Sequence, residues 1–469
     1  MPLIEDVEIL DIAAEGNAIA RIDNKVLFVP HAIPGDIVDV QILRKRTSYM
    51  EGFVTRIKKP SSLRIEPFCE HFGLCGGCKW QNLPYSAQLQ YKNKQVIDNL
   101  ERIGKVKPEK INYILPSENT RFYRNKLEFA FSDNRWLTKE ELSAENFVKK
   151  KGVGFHIPSM FDKVLDIHYC HLQRDPSNQL RLAIKEYALK NNLDFFDQKT
   201  HEGFLRNLII RTTSTGELMA IVVFAKDNKT EREKLLKYVA RQFPEITSLL
   251  YVINPKQNDT ITDLEINNFA GQDYIIEKLG DLQFKIGPKS FYQTNSEQAH
   301  KLFSIVLNFA GLTGNELVYD LYTGTGTIAN YIARKAASVI GIESVPEAIS
   351  DATENSHING IQNTRFYTGD IREVLNHEFV SIHGRPDVII LDPPRAGIHP
   401  SIVEAILFAY PNRIVYVSCN PATQARDIAL LAEEYNLKEI QPLDMFPHTH
   451  HVENVALLER KSFNGKSNH

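Results

Sequence analysis

Apolar and polar residues change rhythm twice along this chain. Within residues 1–59 they alternate in short runs: Ala18-Ile-Ala-Arg-Ile22, Val26-Leu-Phe-Val29, Asp36-Ile-Val-Asp-Val-Gln-Ile42 and Glu51-Gly-Phe-Val-Thr-Arg-Ile57. A period of two places every second side chain on one face, as a half-buried strand requires. Turn formers separate the runs. A small closed β-barrel is therefore predicted, with Arg44, Lys45 and Arg46 at a hairpin tip and Pro60-Ser-Ser62 at its exit.

Residues 60–285 mix both rhythms. Leu89, Val96, Leu100 and Ile103 recur at roughly helical spacing and predict a helix over 85–103. Residues 205–211 and 218–224 predict paired strands around Ser214-Thr-Gly-Glu217, and the polar stretch 133–151 reads as a loop or excursion. From 286 to 469 the texture becomes alternating β and α. Candidate strands begin at Leu317, Ser338, Arg365, Asp387, Arg413 and Asn454, with helical segments between the early ones. That order predicts an α/β unit with a mostly parallel, doubly wound sheet, whose ligands gather at the carboxyl ends of its strands.

At 469 residues and 43% hydrophobic, the chain can bury a large core in two or three domains. No apolar stretch reaches the roughly 18–20 residues needed to span a bilayer, so no membrane partner is expected. The amino terminus lacks the profile of a signal peptide. Five cysteines, an odd number, point to reduced thiols in the cytoplasm. A net charge of −3 gives no global sign of nucleic-acid binding. Local patches do: residues 41–64 carry Arg44, Lys45, Arg46, Arg56, Lys58, Lys59 and Arg64 against Glu51 alone, and Arg121-Phe-Tyr-Arg-Asn-Lys126 adds aromatic rings. Together they favour a polyanion partner, although either alone reads equally well as a solvated charged face.

Each cysteine falls where chemistry can use it. Cys69, Cys75 and Cys78 form C-x5-C-x2-C, and Cys170 stands in His168-Tyr-Cys-His171. Three clustered thiols plus a distant one supply four soft ligands, enough for zinc or an iron–sulfur cluster; His71, His168 or His171 could replace one sulfur. Cys419 ends the apolar run 413–418, where an α/β enzyme can hold a nucleophile or simply bury a core thiol.

Asp320-Leu-Tyr-Thr-Gly-Thr-Gly326 follows a candidate strand and opens a helix, and Glu343 ends the next strand. An acid there suits ribose hydroxyls. The dinucleotide fingerprint G-x-G-x-x-G is absent because position 329 is Ala, so S-adenosylmethionine fits better than NAD. Asp370, after the following strand, is placed to meet the adenine or to cap a helix. Asp392-Pro-Pro-Arg395 closes a strand, its prolines stiffening the turn that aims Asp392. His451-Val-Glu453 precedes the last strand and offers a general base.

Phe291-Tyr-Gln-Thr-Asn295, Asp320-Leu-Tyr-x-Gly-x-Gly326, Asp392-Pro-Pro-Arg395, Ser418-Cys-Asn-Pro-Ala-Thr423 and His451-Val-Glu453 form a specific set. On these motifs the chain resembles, over essentially its full length, the bacterial RNA uridine C5-methyltransferases of the RumA/TrmA-like family. The resemblance implies a class I S-adenosylmethionine-dependent methyltransferase domain of Rossmann-like fold over 286–469, an OB-like TRAM domain over 1–59 and an α+β iron–sulfur domain over 60–285. It implies Cys419 as nucleophile and Glu453 as proton acceptor. Gln293, Tyr322, Glu343 and Asp392 would line the cofactor and target-base pocket. Cys69, Cys75, Cys78 and Cys170 would hold a [4Fe–4S] cluster, with zinc as the alternative, and the helix over about 85–110 would lie on the catalytic domain. A monomer acting on a uridine of 23S ribosomal RNA is expected, because relatives acting on transfer RNA generally lack both barrel and cluster. The alternatives are transfer RNA as substrate, or a non-catalytic RNA-binding assembly factor. Thr323 and Thr327 depart from the family pattern, in which cysteine and asparagine are frequent at those positions.

Overall fold

The computed structural model describes residues 2–137, 141, 151–158 and 160–462. Six N-terminal strands pair in the order Leu3–Glu8, Ile37–Lys45, Tyr49–Lys59, Lys25–Val29, Ala18–Ile22, Asp11–Ile12. Their alternate side chains, among them Val7, Ala20, Leu27, Val29, Val38 and Val40, share one apolar core. The hairpin between Ile37–Lys45 and Tyr49–Lys59 closes with Arg46 N–H donating to the Tyr49 carbonyl at 2.8 Å, so the basic run does stand at its tip. Leu3–Glu8 was not foreseen, because Leu-Ile-Glu-Asp-Val-Glu does not alternate cleanly.

The middle of the chain builds a seven-stranded mixed sheet, ordered Met160–Asp166, Gly152–Ile157, Lys126–Ser132, Leu205–Thr212, Leu218–Phe224, Ser248–Ile253, Ile266–Gly271. Leu205–Thr212 and Leu218–Phe224 are antiparallel neighbours, as their pattern predicts. The expected loop over 133–151 lies largely outside the described residues. Strand Leu282–Ile286 runs through position 285 and pairs with Ile275–Leu279. This hairpin packs its apolar face with Ala299, Leu302 and Phe303 of helix Ser296–Ala310.

The C-terminal sheet is ordered Thr364–Thr368, Ser338–Glu343, Leu317–Leu321, Val388–Leu391, Arg413–Ser418, Glu453–Arg460, Tyr435–Leu443, Lys110–Ile111. The first five strands are parallel, and Glu453–Arg460 runs antiparallel between its neighbours. Helices on both faces bury the central strands, so Val388–Leu391 reads as an unbroken apolar run. Tyr435–Leu443 and Lys110–Ile111 escaped the sequence reading. Tyr-Asn-Leu-Lys-Glu-Ile-Gln-Pro-Leu mixes polar residues with a proline, and the second strand has two residues.

Helix Tyr85–Asn99 continues as one π-helical turn, Leu100–Gly104, and buries Leu89, Val96 and Leu100 in the core of the C-terminal sheet. Gly104 permits the closest approach: a Cβ there would stand 2.7 Å from the Ala425 carbonyl oxygen. This helix thus crosses from the middle of the chain onto the parallel sheet.

Candidate active site

Three strand ends meet at one edge of the C-terminal sheet. Asp392 follows Val388–Leu391 and Cys419 follows Arg413–Ser418; the two strands are parallel neighbours, with Leu391 opposite Tyr416. Across the other side of Arg413–Ser418, Ser418 pairs with Asn454, which leaves Cys419 and Glu453 facing each other one step further out. The turns are laced together. Asn420 Nδ2 and Thr423 Oγ1 donate to the Arg395 carbonyl at 3.0 and 3.2 Å. The Arg395 guanidinium hydrogen-bonds the Cys419 thiol and lies 3.3 Å from His451 Nδ1. Asn420 also caps helix Pro421–Leu431, so a helix N-terminus opens immediately behind Cys419.

The electrostatics of this edge are unusual. Burial pushes Glu453 up to about 8, with the Asp392 carboxyl raising it further and Arg395 opposing. Burial likewise pushes Asp392 and Asp320 up to about 7. The Cys419 thiol is pushed up to about 11, first by burial and then by Glu453, while Arg395 pulls it down. Three acids beside one guanidinium form a site short of positive charge. A cationic ligand fits it, because it would favour the ionised form of each acid.

The neighbouring loop has room for such a ligand. Tyr322, Gly324 and Gly326 all adopt positive φ, at 66°, 53° and 72°. In that region only glycine is unstrained, so Tyr322 marks a locally strained turn. A Cβ on Gly324 would meet nothing within 4 Å, leaving open space in front of its backbone. Gly324 N–H donates to Glu343 Oε2 at 3.3 Å, and Glu343 Oε1 accepts from Ser344 and Val345 N–H at 2.7 and 3.1 Å. Asp320 Oδ2 accepts from Thr323 Oγ1 at 2.6 Å, but its buried Oδ1 has no partner. An orphaned buried acceptor beside an open glycine loop fits a ligand carrying a donor.

Two further residues singled out from the sequence for this pocket, Gln293 and Asp370, have engagements of their own. Gln293 is half-buried; its carbonyl accepts from Asn125 Nδ2 at 2.9 Å, and its segment touches the glycine loop through Thr325 Oγ1 and the Phe291 carbonyl at 3.4 Å. Asp370 caps the short helix Ile371–Val374 and pairs with Arg372, whose hydrogen bonds hold its carboxyl down at about 2. Two residues of the motifs were not singled out as site residues. Asp320 has the site's unpartnered oxygen, and Arg395 is the cation that touches the thiol. Their signals were a lone acid inside a strand and the only charge following Asp392-Pro-Pro.

The other four thiols lie together elsewhere. Cys69, Cys75 and Cys78 precede helix Tyr85–Asn99, Cys170 follows Met160–Asp166, and Cys75 and Cys78 each feel the charges of Cys69 and Cys170. Burial pushes Cys75 up to about 11 and Cys78 up to about 12. Donors face the sulfurs: Gly77 N–H lies 3.4 Å from Cys75 Sγ. Asn178 grips the Cys170 backbone from both sides at 2.8 and 3.1 Å. His71 Nε2 accepts from His168 N–H at 2.9 Å and so joins the two segments. The ring run 121–126 divides: Tyr123 is buried with its hydroxyl donating to the Pro447 carbonyl at 3.0 Å, so it offers no stacking face. Arg121 stays exposed over Phe68.

Residues 211–461 match the family profile described as tRNA (uracil-5-)-methyltransferase. The chain belongs to that family. Residues 4–55 match the TRAM domain, so the fold is an α/β S-adenosylmethionine-dependent methyltransferase with an N-terminal TRAM domain. An RNA methyltransferase of Bacteroides thetaiotaomicron is 59% identical over 96% of this chain and all of its own. One from Porphyromonas gingivalis is 58% identical over 97% and all of its own. The crystal structure of Pyrococcus abyssi tRNA (uracil-54, C5)-methyltransferase with S-adenosyl-L-homocysteine superposes with a TM-score of 0.75 at 30% identity, covering 97% of this chain and 100% of that one. The protein is thus an S-adenosylmethionine-dependent RNA methyltransferase. That last comparison also corrects one expectation: a methyltransferase of transfer RNA spans nearly the whole chain, so the N-terminal barrel does not separate ribosomal from transfer RNA as substrate. Among the described residues no helix is long and apolar enough to cross a membrane.

Proposed function

We propose that the protein methylates C5 of a uridine in 23S ribosomal RNA, with Cys419 as nucleophile and Glu453 as proton acceptor. The observation that carries this reading is the thiol–carboxyl pair facing across the end of two antiparallel strands, with Arg395 on the sulfur. C5 of uracil is a poor nucleophile. Addition of the Cys419 thiolate at C6 pushes the ring electrons towards C5, which then bonds the incoming methyl. Bound S-adenosylmethionine supplies that methyl as an electrophile on a sulfonium. C5 now carries one hydrogen too many. Glu453 removes it as a proton, the C–H electrons re-form the C5–C6 double bond, and the C6–sulfur bond breaks to return the thiolate. Asp392 and Asp320 face the cofactor's positive charge in this reading. Glu343 and Tyr322 bracket the ribose, Gln293 lies at the target base, and Asp370 reaches the adenine side only as far as its pairing with Arg372 allows.

The four remaining cysteines are read as ligands of a [4Fe–4S] cluster, zinc being the alternative. Thiolates about 2.3 Å from one zinc stand roughly 3.8 Å apart. Among the described residues the group of acids, histidines and cysteines with donor atoms all within 4.8 Å of one another is Glu70, His71 and His168, not a trio of these sulfurs. The family resemblance favours a cluster, and either group would tie the 69–78 segment to Cys170. Cys170→Ser should then lose iron, sulfide and the brown chromophore, and unchanged iron content would remove Cys170 from the ligand set.

Transfer RNA is the second reading, favoured by the Pyrococcus structure. Mass spectrometry of ribosomal and transfer RNA from a strain lacking the gene decides between them: 5-methyluridine should disappear from a 23S fragment. Its loss from transfer RNA alone would overturn the ribosomal assignment.

A further inference from the structure

Glu453 pairs across the sheet with Leu443, so residues 444–452 form the loop that delivers the proton-accepting carboxyl. That loop has no regular structure and is held from outside the sheet. Lys92, on helix Tyr85–Asn99, is fully buried, with its ammonium 2.5 Å from Asp444 Oδ1 and 3.0 Å from the Phe446 carbonyl. The Tyr85 hydroxyl donates to Asp444 Oδ2 at 2.8 Å. Lys79 and Trp80, which directly follow Cys78, donate their N–H groups to the His448 carbonyl at 2.8 and 3.1 Å. Burying a lysine and an aspartate together costs heavily in desolvation, and apolar residues of similar volume would stabilise the fold at least as well. What the ion pair adds is a single allowed position for the loop.

We propose that Lys92 and Asp444 are positioning residues that aim Glu453 at C5, an inference that rests on the functional reading above. Thiol addition depends on this fastener less, because the backbone of the Arg395 turn is anchored separately through Asn420 and Thr423 and only the Arg395 side chain meets the loop, at His451. Proton removal from C5 is therefore the step that loosening should slow. Lys79 and Trp80 place the three-cysteine segment 69–78 on the same loop, so it bears on the same step.

The test uses full-length enzyme, S-adenosylmethionine and total RNA from a strain lacking the gene, with reactions quenched in denaturing detergent. Lys92→Met should lower kcat roughly tenfold or more, since small misplacements of a catalytic group are costly. It should also raise the fraction of enzyme trapped as a detergent-stable methylated RNA adduct, with KM for RNA and cofactor unchanged. Tyr85→Phe should shift both readouts in the same direction by a few-fold, and serves as the test if Lys92→Met does not fold; Lys92→Arg should restore part of the rate. A fall in kcat without adduct accumulation, or no fall at all, overturns the proposal. A wild-type enzyme that methylates no uridine overturns the functional reading itself, whereas an active wild type with adduct-free variants overturns the positioning role alone.

Discussion

The thiols of Cys78, which is buried, and Cys419, which is half-buried, are both held well above the ordinary thiol range, at about 12 and about 11, with desolvation the main cause for each. Their neighbours differ. Cys78 is surrounded by other thiols, each of which raises its pKa further, with Gln81 as the one polar group lowering it. A positive centre shared by the four sulfurs, as proposed above, would favour their thiolate forms. Cys419 has a single guanidinium and an acid across from it, so it can lose its proton transiently and regain neutrality by bonding to carbon. A raised thiol pKa alone therefore does not separate the proposed ligand from the proposed nucleophile. What lies within hydrogen-bonding reach of the sulfur does.

The comparison breaks most visibly when each sulfur is removed. Cys419→Ala should abolish methyl transfer, by 10⁴-fold or more, while cofactor affinity from calorimetry stays within a few-fold. Residual transfer near the wild-type rate would return Cys419 to the core. Glu453→Gln comes next: turnover should fall about 10²–10³-fold and covalent protein–RNA adduct should build up, whereas clean fast turnover would dismiss Glu453 as the base. Arg395→Gln removes the group that distinguishes the two thiols. Its pH–rate profile should move to higher pH, with roughly tenfold lower kcat at neutral pH.

A smaller effect concerns the acids. Asp320, Asp392 and Glu453 bind their protons more tightly folded than unfolded, their ordinary values being 3.8, 3.8 and 4.5. Their contribution to stability is full below about pH 4 and is lost as pH rises through 7 to 8. The cofactor-free protein should accordingly show a Tm lower at pH 8.5 than at pH 5.5 by on the order of 5 °C. Asp392→Asn should flatten that slope. The sulfonium cofactor should bind more tightly as pH rises over the same window, and S-adenosylhomocysteine, which lacks the sulfonium charge, should gain less. A flat Tm profile would remove the acidic cluster from the account of cofactor binding.

Most of this site could be read without coordinates because its chemistry is local in sequence. Asp392-Pro-Pro-Arg395 and Ser418-Cys-Asn-Pro421 each sit on one strand end, and parallel order brings those ends together. Lys92 and Asp444 could not be paired that way. They are separated by most of the chain, and each alone reads as a solvated charge on a helix or a loop. Tyr435–Leu443 was lost because its pairing is irregular between Leu437 and Glu439, where the partly exposed Lys438 and Glu439 interrupt the alternation, and because it contains Pro442, which is buried in the strand. Asp370 was legible as either cofactor contact or cap, and the cap geometry with Arg372 decides what its carboxyl does in the free protein.

The central step of the proposed mechanism is a bond between one sulfur and one pyrimidine carbon. Incubating the enzyme with S-adenosylmethionine and 5-fluorouridine-substituted RNA blocks proton removal from C5 and should trap that bond. Mass spectrometry of the digested complex should find a methylated fluorouridine attached to the peptide containing Cys419, and Cys419→Ala should give no complex. An adduct on any other residue, or none at all from an enzyme that still methylates ordinary uridine, would contradict it.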